Sequence, residues 1–420
     1  MLIRLIFFFC LMGKVLAISC SEPTIFSGQK AMSVKIATNA SGAAVAMWIA
    51  KEKEGEAVYV SSKAAITPWT TPERISKVEK DITVPRIFID EHGNAFVTWN
   101  VEILDEESIF QICEQPSGSV WERPISISYP NGHVQWEAGH LTQAFESVGK
   151  WSPDFSTSSK MILSVKKELH QEPQWDYIAQ TCCSHYEQLV LASNKEGALF
   201  AVWERKSADG KYIHEYSLRK NGESWDSVGT LPTAFTLRGW EMQAVIDPSE
   251  NITIIWRSPS NGQMMCVQRL FGVWSQEPIM LTQKDQWAAS CKLSIDHLGN
   301  IILAWTRKVQ NQEMLYVSYK PVGNDWQKGL SLSPKEYDCC CYDVRADLKG
   351  KFVVCWGQST DNAVAIHGAT FSTEDQTWSL PEQLSPEGLS CWSPYLSFSE
   401  GSNGFLGWVT EDTIQITELK

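Results

Sequence analysis

The sequence predicts an all-β protein, a β-propeller of four-stranded antiparallel blades. Three observations predict it: a tryptophan that recurs every 49 to 53 residues, a polar turn ahead of it, and short apolar runs without helical periodicity. The recurring residues are Trp48, Trp99, Trp151, Trp203, Trp256, Trp305, Trp356 and Trp408. Seven of these are followed 18 to 24 residues later by a second tryptophan, at Trp69, Trp121, Trp175, Trp225, Trp274, Trp326 and Trp378. Each unit therefore carries two indoles about half a repeat apart.

The strands of one unit follow in order. The first ends at a turn, as in Ile89-Asp90…Gly93-Asn94 and Ile295-Asp296…Gly299-Asn300; Asn39…Gly42, Asn194…Gly197 and Asp347…Gly350 keep the spacing. Asp or Asn bonds its own turn and Gly supplies the left-handed residue, so these acidic residues are turn formers rather than general acids. The second strand runs up to the first tryptophan, as in Ile252–Ile255 and Phe352–Cys355, and is apolar on both faces, as a strand covered on both sides must be. The third alternates, as in Ile109–Ile112 and Met314–Tyr319. The fourth begins at the second tryptophan and carries a proline, as at Pro124 and Pro381, which marks it as the edge because proline donates nothing to a ladder.

A solenoid built from the same units would need polar capping repeats at both ends. Here the last unit, 392–420, supplies only three strands, ending in Thr413–Thr417, and the missing fourth matches Glu22–Ser27 at the other end of the chain. Pairing the two would cover both open edges and close a ring. Eight blades are expected, or seven if the third unit is not a blade, since 142–151 lacks the Asp-x-x-Gly turn and places Gly149 and Lys150 where apolar residues belong.

Residues 1–17 read as a secretory signal, with Arg4, an apolar run to Met12, and Val15-x-Ala17 as the cleavage site; residues 21–420 form a single propeller domain. Ala17-Ile-Ser-Cys20 also fits a bacterial lipobox loosely, which would make the signal 1–19 and put a lipid anchor on Cys20. No later run is long enough to cross a bilayer as a helix, so the protein is expected to be exported as a monomer that does not span the membrane. It would be periplasmic, associated with the outer membrane, or on the cell surface. Of the cysteines, Cys182-Cys183 and Cys339-Cys340-Cys341 suggest one or two disulfides tying loops, and Cys113, Cys266 and Cys355 read as buried thiols. No metal is expected, because no Cys-x2-Cys pair is followed by a second, and no cofactor is expected either. The net charge of −13 excludes nucleic acid as a natural partner.

Function is expected on the face carrying the outer-to-inner connections. Trp136, Trp240, Trp287 and Trp392 stand outside the two structural sets, 15 to 18 residues before a structural tryptophan, and His133, His140, His185, Tyr186 and Tyr337 occupy the same class of position. Flat rings there suit stacking on sugar faces or an aromatic anchor for a protein partner. Packing between blades is the competing role. The candidate ligand contacts are Trp136, His140, Tyr186, Trp240, Trp287, Tyr337 and Trp392, with no catalytic residue assigned.

The repeats resemble those of bacterial propellers of the sialidase-like and propeller-lectin kind, over nearly the whole chain after the signal and at the level of repeat pattern. The sialidase Asp-box, Ser-x-Asp-x-Gly-x-Thr-Trp, is nearest at Ser294-Ile-Asp296-His-Leu-Gly299, where one extra residue separates Asp from Gly and Trp305 lies too far on. The resemblance implies three arginines, a Tyr–Glu pair and an acid-base Asp; Arg86, Arg345, Arg205, Arg257 and Arg307 are the arginines of suitable position, and none of the catalytic set carries over. The expected function is a non-catalytic binding module for a glycan or a protein. The alternatives are a sialidase-like glycoside hydrolase or a disulfide-linked structural protein of the envelope.

Overall fold

The structure is a computed structural model that describes residues 18–27, 30–102, 108–127, 133–141, 145–152, 159–182, 189–206, 212–232, 240–258, 260–283, 287–347, 349–360, 363–399 and 404–419. Among these the regular structure is entirely β, in eight antiparallel sheets of four or five strands. In chain order, the first strands are Lys30–Thr38, Asp81–Ile89, His133–Leu141, Leu189–Ser193, Trp240–Ile246, Ala288–Ile295, Cys339–Ala346 and Trp392–Ser397. Consecutive strands pair within each sheet. The first strands also pack sheet against sheet: one on two, three on four, four on five, five on six, six on seven, seven on eight, and eight on one. The first strand of sheet three packs in addition on Ser108–Gln115 of sheet two.

The eighth sheet takes strands from both ends of the chain. Thr24–Ser27 pairs antiparallel with Thr413–Leu419, Thr24 opposite Ile416 and Ser27 opposite Thr413, and Cys20 bridges to Leu419. Unit three, the weakest in sequence, is also a four-stranded sheet: Phe145–Ser152 pairs on one side with His133–Leu141 and on the other with Ser159–Lys167. Its backbone ladder forms despite Gly149 and Lys150 because pairing needs only amides, whatever the side chains contribute.

Burial follows the alternation read from the sequence. Second strands are covered on both faces, so Trp48, Trp99, Trp203, Trp356 and Trp408 are almost wholly buried. Several of these indoles stack on the ring directly opposite in the third strand: Trp48 on Tyr59 at 6.2 Å, Trp305 on Tyr316 at 5.8 Å and Trp356 on His367 at 6.1 Å. Such cross-strand ring pairs are the unit from which sheet stability is assembled. The fourth strands are short, as at Glu73–Arg74, Ile125–Ile127 and Leu330–Ser331, with Pro72 and Pro124 immediately ahead of two of them. In most sheets they start after the second tryptophan rather than at it.

The turn chemistry is built as the sequence reads. Asp90 Oδ1 accepts from the amides of His92 (2.9 Å) and Asn94 (2.7 Å), while Asn94 Nδ2 donates to Oδ2 at 2.8 Å. Asp296 repeats this with Leu298 and Asn300. Asn39 and Asn194 also donate across to the next sheet, to the carbonyls of Asp90 and Asp247, each at 2.9 Å. The disulfides expected from the cysteine clusters are not seen among the described residues: Cys113, Cys266, Cys291, Cys339, Cys340, Cys341, Cys355 and Cys391 are free thiols, as is Cys20. Cys113, Cys266 and Cys355 are buried inside strands.

Candidate functional site

One irregularity recurs where the first strands begin. The register between first and second strands shifts at Ala31/Val34, Thr83/Arg86, Trp136/Ala138, Trp240/Gln243, Ala288/Cys291, Cys340/Tyr342 and Trp392/Tyr395. A β-bulge of this kind bends a strand and re-aims the side chains beside it. Val84, Glu241 and Ser393, at the bulges of sheets two, five and eight, have positive φ.

Four of the bulges meet around a cavity of about 580 Å³. Its wall takes Ser33, Val34 and Lys35 from sheet one, Ser290, Cys291 and Lys292 from sheet six, Cys340, Cys341 and Tyr342 from sheet seven, and Ser393, Pro394 and Tyr395 from sheet eight. In sheets one, six and eight these are the positions fifteen to thirteen residues before the structural tryptophan; in sheet seven Cys341 and Tyr342 stand fifteen and fourteen before Trp356, Cys340 sixteen before it, and the residue thirteen before it is Asp343. Thr306 and Glu313, flanking the loop between the second and third strands of sheet six, complete the rim with Cys339.

Asp343 is fully buried behind this wall. Lys292 Nζ lies 3.1 Å and Arg345 Nη1 3.8 Å from its Oδ1, and the Leu396 amide donates to Oδ2 at 2.9 Å. Burial alone would raise this carboxyl, but Arg345, Lys292 and the Leu396 amide together hold it below the usual carboxylate range. Lys292 also sits over the Tyr342 ring at 5.7 Å, and the Tyr395 ring takes Lys35 at 4.6 Å and Arg345 at 5.7 Å. The Lys35 ammonium has no hydrogen bond or ion pair among the described residues. Desolvation lowers its ammonium to about 8; Asp343 opposes the shift, and Arg86, Lys292 and Arg345 add to it.

The cysteine run belongs to the same wall. Cys340 and Cys341 hold their sulfurs 3.4 Å apart, and the Ser393 amide donates to Cys341 Sγ at 3.2 Å. The Cys340 S–H, with the Ser393 and Gly357 amides and Lys292, outweighs burial and pulls Cys341 below the ordinary thiol range, while Cys340 is pushed up. Cys341 is thus the most acidic of the described thiols whose shift is resolved, in the electropositive, partly exposed surroundings that favour a thiolate.

The residues singled out in sequence fare unevenly. Trp287 is 54% exposed, laid across Gly262, with the Arg257 guanidinium 5.6 Å over its ring. Tyr337 is exposed in the connection ahead of sheet seven, and Trp392 is half-buried against the cluster that includes Phe26, Trp48 and Phe405. Trp136, Trp240 and Trp392 prove to lie in first strands, not in the connections, because the bulge lets pairing begin two or three residues earlier than regular alternation suggests. The side chains of Trp136, His140, Trp240 and His133, and all of His185 and Tyr186, lie outside the described residues. Arg205 and Arg257 pair within their own sheets, with Glu215 (2.7 Å) and Glu241 (3.8 Å), and Arg307 covers Tyr316 at 5.5 Å.

Sequence reasoning missed Lys35, Lys292, Asp343 and Tyr395. The signal was present as a column: the residue thirteen before each structural tryptophan reads Lys35, Arg86, Gln243, Lys292, Asp343 and Tyr395 in six units. A separate cluster of Glu114, Glu122 and His170 has the spacing of a metal site. Its carboxylates are already engaged, Glu114 by the buried Lys167 ammonium and the His170 amide, and Glu122 by His170 Nδ1 at 3.2 Å.

No protein-family model matches the chain, and no curated protein matches it. Among solved structures it is similar to the BP39L lectin from Burkholderia pseudomallei, with a TM-score of 0.51 at 11% identity over 86% of this chain and 100% of that one. It is similar to a prolyl endopeptidase structure to the same TM-score, 0.51, at 9% identity over 90% of this chain and 55% of that one. At such identities the likeness bears on fold alone, and with the sheet order it makes this a propeller-type protein.

Proposed function

We propose that the chain is an exported propeller of eight blades, its ring closed by the Thr24–Ser27 strand, that binds a glycan without catalysis where the first strands begin. Residues 1–17 carry the export reading, and Cys20, exposed beside the closing sheet, is where a lipid anchor would sit. The observation that carries the binding reading is the cavity of about 580 Å³ formed by four equivalent bulges. Ligand pockets for small molecules fall in this size range and combine ring faces with a few convergent polar groups, whereas protein partners are met by broad, shallower patches. Here Ser33, Ser290, Thr306 and Ser393 line the cavity together with Tyr342 and Tyr395, a mixture of hydroxyls and rings suited to a sugar's polar edge and apolar face.

The best-buried carboxyl at the site speaks against hydrolysis. A glycosidase needs one carboxyl kept protonated and another about 5–10 Å away, and Asp343 is held ionised by three donors. Glu241 gives a hydrolytic reading its one support. Burial raises its carboxyl against the pull of Arg257, and its Oε2 is buried without a hydrogen-bond partner among the described residues, the condition of a general acid.

The test is binding of the purified protein to a broad glycan array beside Tyr395→Ala and Trp287→Ala, with turnover of any bound glycan assayed in parallel. Binding lost in a folded Tyr395→Ala variant, without turnover, is the expected result. Turnover abolished by Glu241→Gln would replace the binding reading with the hydrolytic one. Absence of any glycan binding would leave a protein partner as the better account.

A further inference from the structure

We propose that this pocket takes a ligand with an acidic group, the carboxylate or the sulfate or phosphate ester of an acidic saccharide, seated on Lys35 and Lys292. The inference rests on the glycan-binding reading for the saccharide, and on the pocket's own charges for the acid.

The chain as a whole carries −13, yet four cations act on one another around this cavity, Lys35, Arg86, Lys292 and Arg345, against the fully buried carboxylate of Asp343, with the Cys341 thiol in the wall and the partly exposed Glu313 at the rim as its other acidic groups. That carboxylate is committed to Lys292, Arg345 and the Leu396 amide. Lys35 feels the Asp343 carboxylate, which pairs with Lys292 and Arg345 rather than with it, and three like charges; among the described residues its ammonium sits over the Tyr395 ring. Partly buried cations are ordinarily paired, and the Tyr395 ring and the distant Asp343 offset only part of the desolvation that Lys35 bears. Packing alone does not require lysine here: Tyr395 occupies the equivalent position of the next sheet, and Gln243 that of sheet five, where its amide donates to the Cys291 carbonyl at 2.6 Å and accepts from the Leu293 amide at 2.9 Å. A bound anion would supply the missing counter-charge and accept from two ammonium groups in a site of reduced dielectric. Ser33 and Ser393 line the same wall and their hydroxyls would donate to its remaining oxygens, whereas Ser290 Oγ already donates to Tyr342 Oη at 3.2 Å.

Lys35→Met removes the charge, and with it the ammonium's contact to the Tyr395 ring, while keeping a side chain of similar length and breaking no ion pair among the described residues; Lys35→Arg keeps the charge. Two readouts separate this inference from the reading it rests on. Titration calorimetry with glucuronate and with inorganic sulfate tests the anion site alone and distinguishes carboxylate from sulfate-type recognition. The glycan array, with carboxyl-reduced and desulfated versions of each acidic glycan, tests the saccharide. Expected are binding of one of the two free anions, preference for acidic glycans, at least ten-fold weaker binding in Lys35→Met, and recovery in Lys35→Arg. Neutral glycans bound equally by wild type and Lys35→Met would overturn the acidic ligand while leaving glycan binding intact. Free anions bound through Lys35 with no glycan recognised would keep the anion site and sink the glycan reading. Neither anion nor acidic glycan bound would sink both.

Discussion

Trp287 and Trp356 mark the two fates of tryptophan in this chain. Trp356 is fully buried in a second strand, stacked on His367, and its indole has no route to a ligand. Removing it leaves a large void between sheets, and Trp356→Ala should cost about 3–5 kcal/mol. Trp287 lies on the surface over Gly262 and under Arg257, so Trp287→Ala should cost about 1 kcal/mol, chiefly its ring–cation contact and partial burial. Urea unfolding of the two variants checks this, and equal losses would show that Trp287 is a wedge between sheets. The distinction was half legible. Periodicity separates the structural indoles because blade length fixes their spacing, but it says nothing about which of the remaining rings turn outward. The polar column thirteen residues before six of the eight structural tryptophans was also periodic, yet lysine, arginine, glutamine, aspartate and tyrosine share no composition that a search for aromatic or apolar repeats would notice.

At the level of the element, the turn between first and second strands was readable because its residues act locally: an Asp or Asn caps the turn and Gly supplies the left-handed position. Sheet five departs from this pattern. Asp247 caps its turn through Ser249 and Asn251, but Glu250 stands in the left-handed conformation, φ 61°, where Gly42, Gly93, Gly197, Gly299 and Gly350 stand elsewhere. A Cβ is strained there by more than the entropy that glycine loses on folding. Its ion pair with Lys220, 3.4 Å between largely solvated side chains, offsets little of this. Glu250→Gly should therefore raise stability by about 0.5–1 kcal/mol, read as a higher midpoint in thermal unfolding; a lower midpoint would mean that the ion pair outweighs the strain. The bulges were not readable in the same way. A bulge is a property of register between two strands, with no residue type that demands it, so the sequence located Trp136, Trp240 and Trp392 correctly along the chain and placed them outside strands they belong to.

For the whole molecule, the question is whether the two ends of the chain hold the fold together. Phe26 and Ile25 are neighbours in the N-terminal strand and point to opposite faces: Phe26 is 8% exposed, with Trp48 at 5.5 Å and Trp69 at 6.3 Å, whereas Ile25 is 58% exposed. The rings that Phe26 meets belong to sheet one, while its backbone pairs with the last strand of the chain. One side chain thus joins sheet eight to sheet one, at the place where a ring would close. Phe26→Ala should cost about 3–5 kcal/mol from the lost burial and the void it leaves. In a closed ring it should lower a single cooperative transition, because opening one junction uncovers the apolar faces of two sheets at once. Ile25→Ala leaves both the ladder and the junction in place and should shift the midpoint by little. If the two variants unfold alike, the strand is not docked against sheet one. If Phe26→Ala splits unfolding into separate steps, the sheets behave as an open array in which each neighbour contributes independently, and the ring is not the unit of stability.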